Sequence, residues 1–230
     1  MEQLIFDEKM DSFNRMAKDN RIPLHLRYRA REYLRASRVH LKYVRSLEVT
    51  QSLAVGLRGA IAQHLAMHHL GRIHLFQGTG SHFRREIATY LKPHFFERQE
   101  SIELFGCLCV VERGTVMRGG TIVAQGGYWG EDMILAREDF RHYRSAKGMT
   151  HTEILTLERP DLLKALQKHD REQLMFRRAA VCLALRRIVH IYNFERASGK
   201  YDSEWHWVHQ LLEWHSLKRR GVAFQVARRN

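Results

Sequence analysis

Residues 107–135 read CLCVVERGTVMRGGTIVAQGGYWGEDMIL, and this stretch decides the fold. It consists of short runs of apolar and β-branched residues, and most of these runs end at a turn that contains glycine. The turns are Arg113-Gly114, Gly119-Gly120 and Gly126-Gly127. Short strands at regular spacing with such turns are typical of a small antiparallel roll or barrel. The sequence therefore predicts an antiparallel, jelly-roll-like β-roll, which the alternating segment 151–159 extends by one strand.

Helical patterns flank the predicted roll on both sides. Residues 6–20, 24–37 and 52–70 place apolar residues at three-to-four spacing between charged ones. On the C-terminal side, Pro160 suits the first turn of a short helix, and residues 172–196 predict a long one. The predicted fold class is thus α+β, with an N-terminal helical linker, the β-roll and C-terminal helices.

Three regions follow from these patterns. Residues 1–95 are predicted to form the helical linker, whose last helix ends at Pro93. Residues 96–196 are predicted to form the roll together with its lid helices. Residues 197–230, which contain three of the four tryptophans and a basic end, are predicted to form a last helix and a tail.

Length and composition indicate a cytoplasmic protein with one core of ordinary size. The chain has 230 residues, of which 44% are hydrophobic. No stretch approaches the roughly 20 apolar residues that a membrane-spanning helix needs, and the start MEQLIFDEKM lacks the features of a signal peptide. Cys107 and Cys109 alternate with apolar residues, which indicates small strand residues rather than a disulfide or metal site.

The sequence offers no case for an enzyme or a metal centre. It contains no nucleophile elbow, Walker loop or zinc-protease pattern. His64 and His68 have helical spacing in QHLAMHHL, but no glutamate adjoins His64 and no third ligand is in view, so a packed helix face is the better interpretation. The histidines of WHWVHQLLEWH are interpreted as an aromatic packing or partner surface.

The order of these elements resembles the C-linker and cyclic-nucleotide-binding domain of voltage-gated-like cation channels. Four segments carry the likeness: SLAVGLRGAIAQHLAMHHLGRIHLF at 52–76, LCVVERGTV at 108–116, GGYWGEDMIL at 126–135 and LTLERPDLLKAL at 155–166. The third is similar to the Phe-Gly-Glu segment that opens the family's phosphate-binding cassette. The sequence departs from the family at 96–107, which is shorter and keeps only Gly106 of two turns.

The resemblance implies a site for cAMP or cGMP. After Gly130, the amides of a short helical turn through Glu131, Asp132 and Met133 would face the phosphate, and Glu131 would accept from the ribose 2′-hydroxyl. The family's Arg-Thr/Ser-Ala triplet is similar to Arg144-Ser145-Ala146. Counting back from the next strand without gaps instead places His142 at the arginine, and both alignments stay open. The long helix would cover the base with Leu183, Arg186, Arg187 or Val189.

Two residues in this segment argue against a working pocket. Asp132 adds a negative charge beside the phosphate position, which weakens anion binding unless the carboxylate is paired or faces solvent. His142, if it replaces the arginine, is mostly neutral at pH 7 and is a weaker donor. The roll therefore either senses a cyclic nucleotide or is a degenerate, non-binding roll that still couples to gating.

The resemblance implies the cytosolic regulatory region of a potassium-type cation channel, at the cytosolic face of a membrane. Its partners would be a channel pore domain, in cis or in trans, and further copies in a homotetramer formed through the linker helices. The net charge of +13 attracts nucleic acid, anionic lipid headgroups or an acidic protein. The linker resemblance favours lipid, since such a linker lies just under a bilayer. Residues 201–221 are too short and too aromatic for a helix-turn-helix, which disfavours nucleic acid. The alternative is a soluble basic nucleic-acid- or protein-binding module with the same roll.

Overall fold

The computed structural model describes residues 2–197, which form N-terminal helices, two antiparallel sheets and C-terminal helices. The helices are α1 (Glu2–Asp19), α2 (Leu24–Gln51), α3 (Val55–Leu70), α4 (Ser81–Thr89), α5 (Arg159–Leu166) and α6 (Asp170–Ala197). Short 3-10 helices lie at His74–Phe76, Glu131–Ile134 and Glu138–Phe140. The predicted α+β fold class, with N-terminal helices, an antiparallel roll and C-terminal helices, is confirmed.

Eight strands form the roll. They are β1 (Lys92–Phe96), β2 (Ser101–Ile102), β3 (Cys107–Arg113), β4 (Thr115–Arg118), β5 (Thr121–Ala124), β6 (Tyr128–Trp129), β7 (Ala146–Gly148) and β8 (Thr152–Glu158). One sheet has the order β1-β8-β3-β6 and the other has the order β2-β7-β4-β5. All pairings are antiparallel. The two four-stranded sheets face each other, because one buried cluster contains residues of both.

Alternation along β3 and β8 divides the apolar residues between two cores. Leu108 and Val110 of β3 pack with the helices on one face of the sheet. Cys107, Cys109 and Val111 point to the other face, into the interior of the roll. Because successive side chains of a strand point to opposite faces, a strand with both faces covered reads as a continuous apolar run. This explains why LCVVER carries so strong a strand signal.

An aromatic cluster holds the C-terminal helices against α4. Phe76, Phe83 and Phe176 are almost completely buried, and their ring centroids lie 5.6–6.3 Å apart. Phe176 belongs to α6 and Phe83 to α4. The packing of these rings fixes the start of α6 close to the helical side of the roll.

Helix α2 is attached to the roll at two places. Arg29 donates two hydrogen bonds to the carboxylate of Glu97, at 2.9 and 3.0 Å. Further along α2, His40 Nδ1 lies 2.8 Å from Oε1 of Glu153 on β8. The Glu153 side chain is almost completely buried. The linker helix and the first sheet are therefore joined by polar contacts as well as by packing.

Three boundaries differ from the sequence prediction. Helix α4 ends at Thr89, and β1 at Lys92–Phe96 lies inside the region predicted to be wholly helical. Pro93 does not end a helix but lies in the edge strand β1, where a missing N–H is tolerated. Helix α2 continues to Gln51, well beyond the predicted residue 37. The predicted last helix and tail lie outside the described residues.

Within residues 2–197, no helix combines the length and the apolar character that crossing a membrane requires.

Candidate functional site

The turn after β6 depends on a glycine. Gly130 has a φ of +89°, in the left-handed region, and a Cβ at this position would overlap the carbonyl oxygen of Cys107. Only glycine combines this φ with so close an approach of two backbones. The chain then enters the 3-10 helix Glu131–Ile134, in which the amide of Met133 donates to the carbonyl of Gly130 at 3.0 Å. The predicted helical turn after Gly130 is present.

Asp132 is the central polar residue of this turn. Its residue exposure is 8%, and its Oδ2 accepts a hydrogen bond from the backbone amide of His142 at 2.6 Å. The same oxygen accepts from Nη2 of Arg187, on α6, at 3.3 Å. A buried carboxylate is stable when charge-assisted hydrogen bonds replace its hydration. One oxygen atom thus connects the turn, the loop before β7 and the long C-terminal helix.

Two further arginines lie near this carboxylate. Nη2 of Arg118, at the end of β4, lies 3.5 Å from the carbonyl oxygen of His142, and its Nε is buried without a hydrogen-bond partner. The guanidinium of Arg144 lies beside Gly119, where an added Cβ would be 3.1 Å from Nη1. Of the three arginines, only Arg187 contacts the carboxylate of Asp132, while the charges of Arg118 and Arg144 act on Arg187 and His142.

The pKa of His142 responds to this charge. Partial desolvation lowers the pKa of His142 below its usual value, and the charge of Arg187 lowers it further, while Asp132 acts in the opposite direction. Protonation of His142 would add a cation to an already positive pocket. The imidazole is therefore neutral at neutral pH, and the arginines supply the positive charge.

Glu131 faces a different environment from Asp132. It is half-buried, and burial raises the pKa of its carboxyl group, with a smaller contribution from the nearby charge of Asp132. His74 opposes this shift. A carboxylate that is partly desolvated gains from a hydroxyl donor. Glu131 can thus accept a hydrogen bond from a neutral donor.

The structure brings only part of the predicted site together. Gly130, Asp132 and the backbone of His142 meet, whereas Met133 is fully buried in the helical core. Arg144 and Ser145 are exposed in the loop that leads to β7, and Ala146 is buried as its first residue. Arg186 is exposed, and its neighbour Arg187 makes the contact with Asp132.

Arg118 was missed by the sequence analysis. It ends a strand and precedes Gly119-Gly120, so it is indistinguishable in sequence from a solvated turn residue. It reaches the site because β4 pairs with β7, which places Arg118 opposite Ala146. Strand register is therefore the signal that could have found it.

No known family model matches this chain, and no curated protein matches its sequence. Among the described residues, no three or more His, Cys, Asp or Glu side chains are grouped so that they could hold a metal ion. What this arrangement offers chemically is a cluster of arginines in which one cation, Arg187, is already paired with the carboxylate of Asp132.

Proposed function

We propose that this chain is the cytosolic regulatory region of a potassium-type cation channel, with a degenerate roll that is closed by its own carboxylate. One observation carries the proposal: Asp132, which lies beside the position at which the resemblance implies a cyclic phosphate, has a buried carboxylate with partners of its own. Its carboxylate accepts hydrogen bonds from the His142 amide and from Arg187 of α6. An anionic side chain thus makes the contacts that an anionic ligand would make.

The architecture supports the regulatory part of the proposal. Helices come first, then a two-sheet roll with a short helix after Gly130, then α5 and α6. This is the order that the resemblance implies for a linker, a roll and closing helices. Because α6 contacts the turn through Arg187, a change in the turn alters the free energy of the closed position of α6.

The charges favour the degenerate roll over the nucleotide sensor. A phosphate that entered beside Asp132 would meet a buried negative charge and would have to compete for Arg187. Two unit charges about 4 Å apart at a protein surface interact by roughly 4 kcal/mol, which is enough to weaken a micromolar site about a thousandfold, to roughly millimolar affinity. In this proposal the linker, pore or voltage, rather than cAMP or cGMP, sets the position of α6.

Calorimetric titration tests the pocket. The full chain is titrated with cAMP and cGMP, together with the variants Asp132→Asn, His142→Ala and Arg144→Ala. We expect no binding at micromolar nucleotide for the unchanged chain, since its own carboxylate holds Arg187. Asp132→Asn removes the charge with little change in size, and the exposed Asp139→Asn in the same loop is its matched control. Micromolar binding by the unchanged chain would contradict the degenerate roll.

Current recordings test the channel assignment separately. A cation-channel pore that carries this chain as its cytosolic region is compared with the same pore carrying the Asp132→Asn chain. We expect the voltage dependence of opening to shift, because the variant weakens the contact that holds α6 on the roll. Identical currents from both, and from the pore alone, would contradict a gating role whatever the nucleotide result.

The alternative function is a soluble basic module that binds nucleic acid or protein, and the net charge of +13 favours it. Nucleic-acid binding through lysine and arginine weakens steeply with salt. Duplex DNA binding with such a slope, and no effect of the chain on a pore, would support this alternative.

A further inference from the structure

We propose that the groove between α1 and α2 binds the phosphate headgroups of an anionic phospholipid bilayer. The groove lies on the N-terminal helices and shares no residue with the Asp132 pocket. It has a volume of about 320 Å³ and is lined by Ile5, Phe6, Lys9, Arg38, Val39, Leu41, Lys42 and Arg45.

The charge of the groove is of one sign. Four of its eight described lining residues are lysine or arginine, and none of them is acidic. Arg38 lies over the ring of Phe6, with its guanidinium carbon 5.2 Å from the ring centroid, and it donates to the side-chain oxygen of Gln3. Both partners are neutral, so they orient the guanidinium without cancelling its charge. A group carrying several negative charges is therefore the ligand that fits.

The apolar half of the groove narrows the choice of ligand. Ile5 and Phe6 are half-buried and line the side formed by α1, while Val39 is exposed beside Arg38. Leu4, adjacent to the groove in sequence, is 65% exposed. Apolar side chains next to cations favour a ligand that has both phosphate and hydrocarbon.

The face of α2 that continues from the groove has the same character. Residues three, four or seven positions apart lie on one face of a helix. By this rule one exposed face of α2 carries Leu24, Tyr28, Arg35, Val39, Lys42 and Val49, together with Ser46 and, at its edge, Glu32. Exposed apolar and basic residues alternate along the helix, as they do on helices that lie in a membrane interface. Nucleic acid would use the cations but would gain nothing from Leu24, Val39 or Val49.

Vesicle sedimentation tests the proposal with the full chain. Binding is measured to phosphatidylcholine vesicles and to vesicles in which a third of the lipid is phosphatidylserine. The groove variant is Lys42→Glu with Arg45→Glu. Each basic residue near an anionic surface contributes about 1 kcal/mol, so we expect this variant to bind at least about 30-fold more weakly to the anionic vesicles. Neither protein should bind to pure phosphatidylcholine.

Two control variants make the same change of charge elsewhere. Arg177→Glu with Arg178→Glu alters an exposed part of α6, and Arg219→Glu with Arg220→Glu alters the basic C-terminal region. Circular dichroism establishes that all variants are folded. Val39→Ser, which leaves the charge unchanged, should weaken binding without changing its dependence on salt.

Four results would overturn the proposal. Equal binding of the groove variant and the controls to phosphatidylserine vesicles would remove the groove as the site. Binding to duplex DNA that the groove variant loses, with no binding to vesicles, would assign the face to nucleic acid. Self-association in sedimentation velocity that only the groove variant loses, again without vesicle binding, would assign it to a second copy of this chain. If inorganic phosphate displaced the protein from the vesicles and bound it as strongly as they do, the bilayer would add nothing to the affinity of the groove.

Discussion

Arg187, on the long C-terminal helix, donates a hydrogen bond over 3.3 Å to the carboxylate of Asp132, in the turn that follows β6. Both side chains are largely shielded from solvent, with exposures of 21% and 10%. The closing helix and the roll therefore meet through an ion pair whose two members lie far apart in sequence. Because each member loses hydration, each depends on the other for its stability in the folded chain.

Asp132→Asn is expected to lower the free energy of unfolding by about 1–3 kcal/mol, because Arg187 loses its counter-charge and the hydrogen bond from the His142 amide loses its charge assistance. Chemical denaturation measures this change. The control is Asp139→Asn, which breaks an exposed pair with Arg137 and should cost less than about 1 kcal/mol. Equal losses for the two variants would mean that the pocket pair contributes nothing beyond a surface contact.

Gly130→Ala is expected to cost about 3 kcal/mol or more, since its Cβ would overlap the carbonyl oxygen of Cys107 at a positive φ. Gly120→Ala provides a matched comparison, because Gly120 has a φ of +82° but no atom within 4 Å of an added Cβ. That variant should cost only the backbone strain, about 1–2 kcal/mol. Thermal unfolding of both variants separates steric overlap from strain, and similar costs would contradict the close approach of the two backbones.

His94 is expected to make the chain less stable in mild acid. Desolvation by burial lowers the pKa of His94 below its usual 6.5; the charges of His40 and Lys92 add to this effect, and Glu158 opposes it. The unfolded chain therefore binds the proton more readily than the folded chain, so stability falls as the pH drops through about 6.5 towards the folded pKa. Denaturant unfolding midpoints measured from about pH 8 to about pH 5, the range over which a histidine titrates, should fall in step with this loss of stability.

His94→Gln should flatten this dependence while the glutamine amide can still reach Thr156, the present partner of His94 Nε2 at 3.0 Å. Some dependence should remain, because the pKa of His142 is lowered in the same direction. The double variant with His142→Gln should be flatter still. An unchanged slope in both variants would show that other groups govern the acid response.

His40 and Glu153 are expected to be coupled in a double-mutant cycle. Their side chains are 2.8 Å apart, and Glu153 is almost completely buried, so loss of either partner leaves the other unsatisfied. We expect His40→Ala and Glu153→Gln to show an interaction free energy of about 1–3 kcal/mol. Arg29→Ala with Glu97→Gln, on the exposed second contact of α2, is the comparison and should show a smaller interaction free energy.

The roll was predictable because its turns depend on particular residues. Gly114, Gly119, Gly126 and Gly130 all have positive φ, so the chain marks the ends of its strands in its own sequence. Pro93 was misinterpreted because proline ends helices and also occupies edge strands, and only strand order distinguishes the two. The length of α2 was underestimated, since its many arginines interrupt the apolar pattern while remaining good helix formers.

The pocket was predictable only in its local part. The turn from Gly130 to Ile134 follows from neighbouring residues, and so does the doubt that Asp132 raises about anion binding. The two arginines that define the charge, Arg118 and Arg187, arrive through strand pairing and through the rotation of α6 about its axis. The spacing of residues along one element does not reveal either contact. The sequence pattern therefore could not distinguish Arg187 from the exposed Arg186 beside it.

The contact between His40 and Glu153 lies at the beginning of β8, and the other end of β8 leads without a break into α5. Helix α5 is followed within a few residues by α6, which carries Arg187. One strand thus connects the contact with α2 to the start of the C-terminal helices. A displacement of α2 that kept the His40–Glu153 contact would move β8 and, because the backbone is continuous, the first turn of α5 with it.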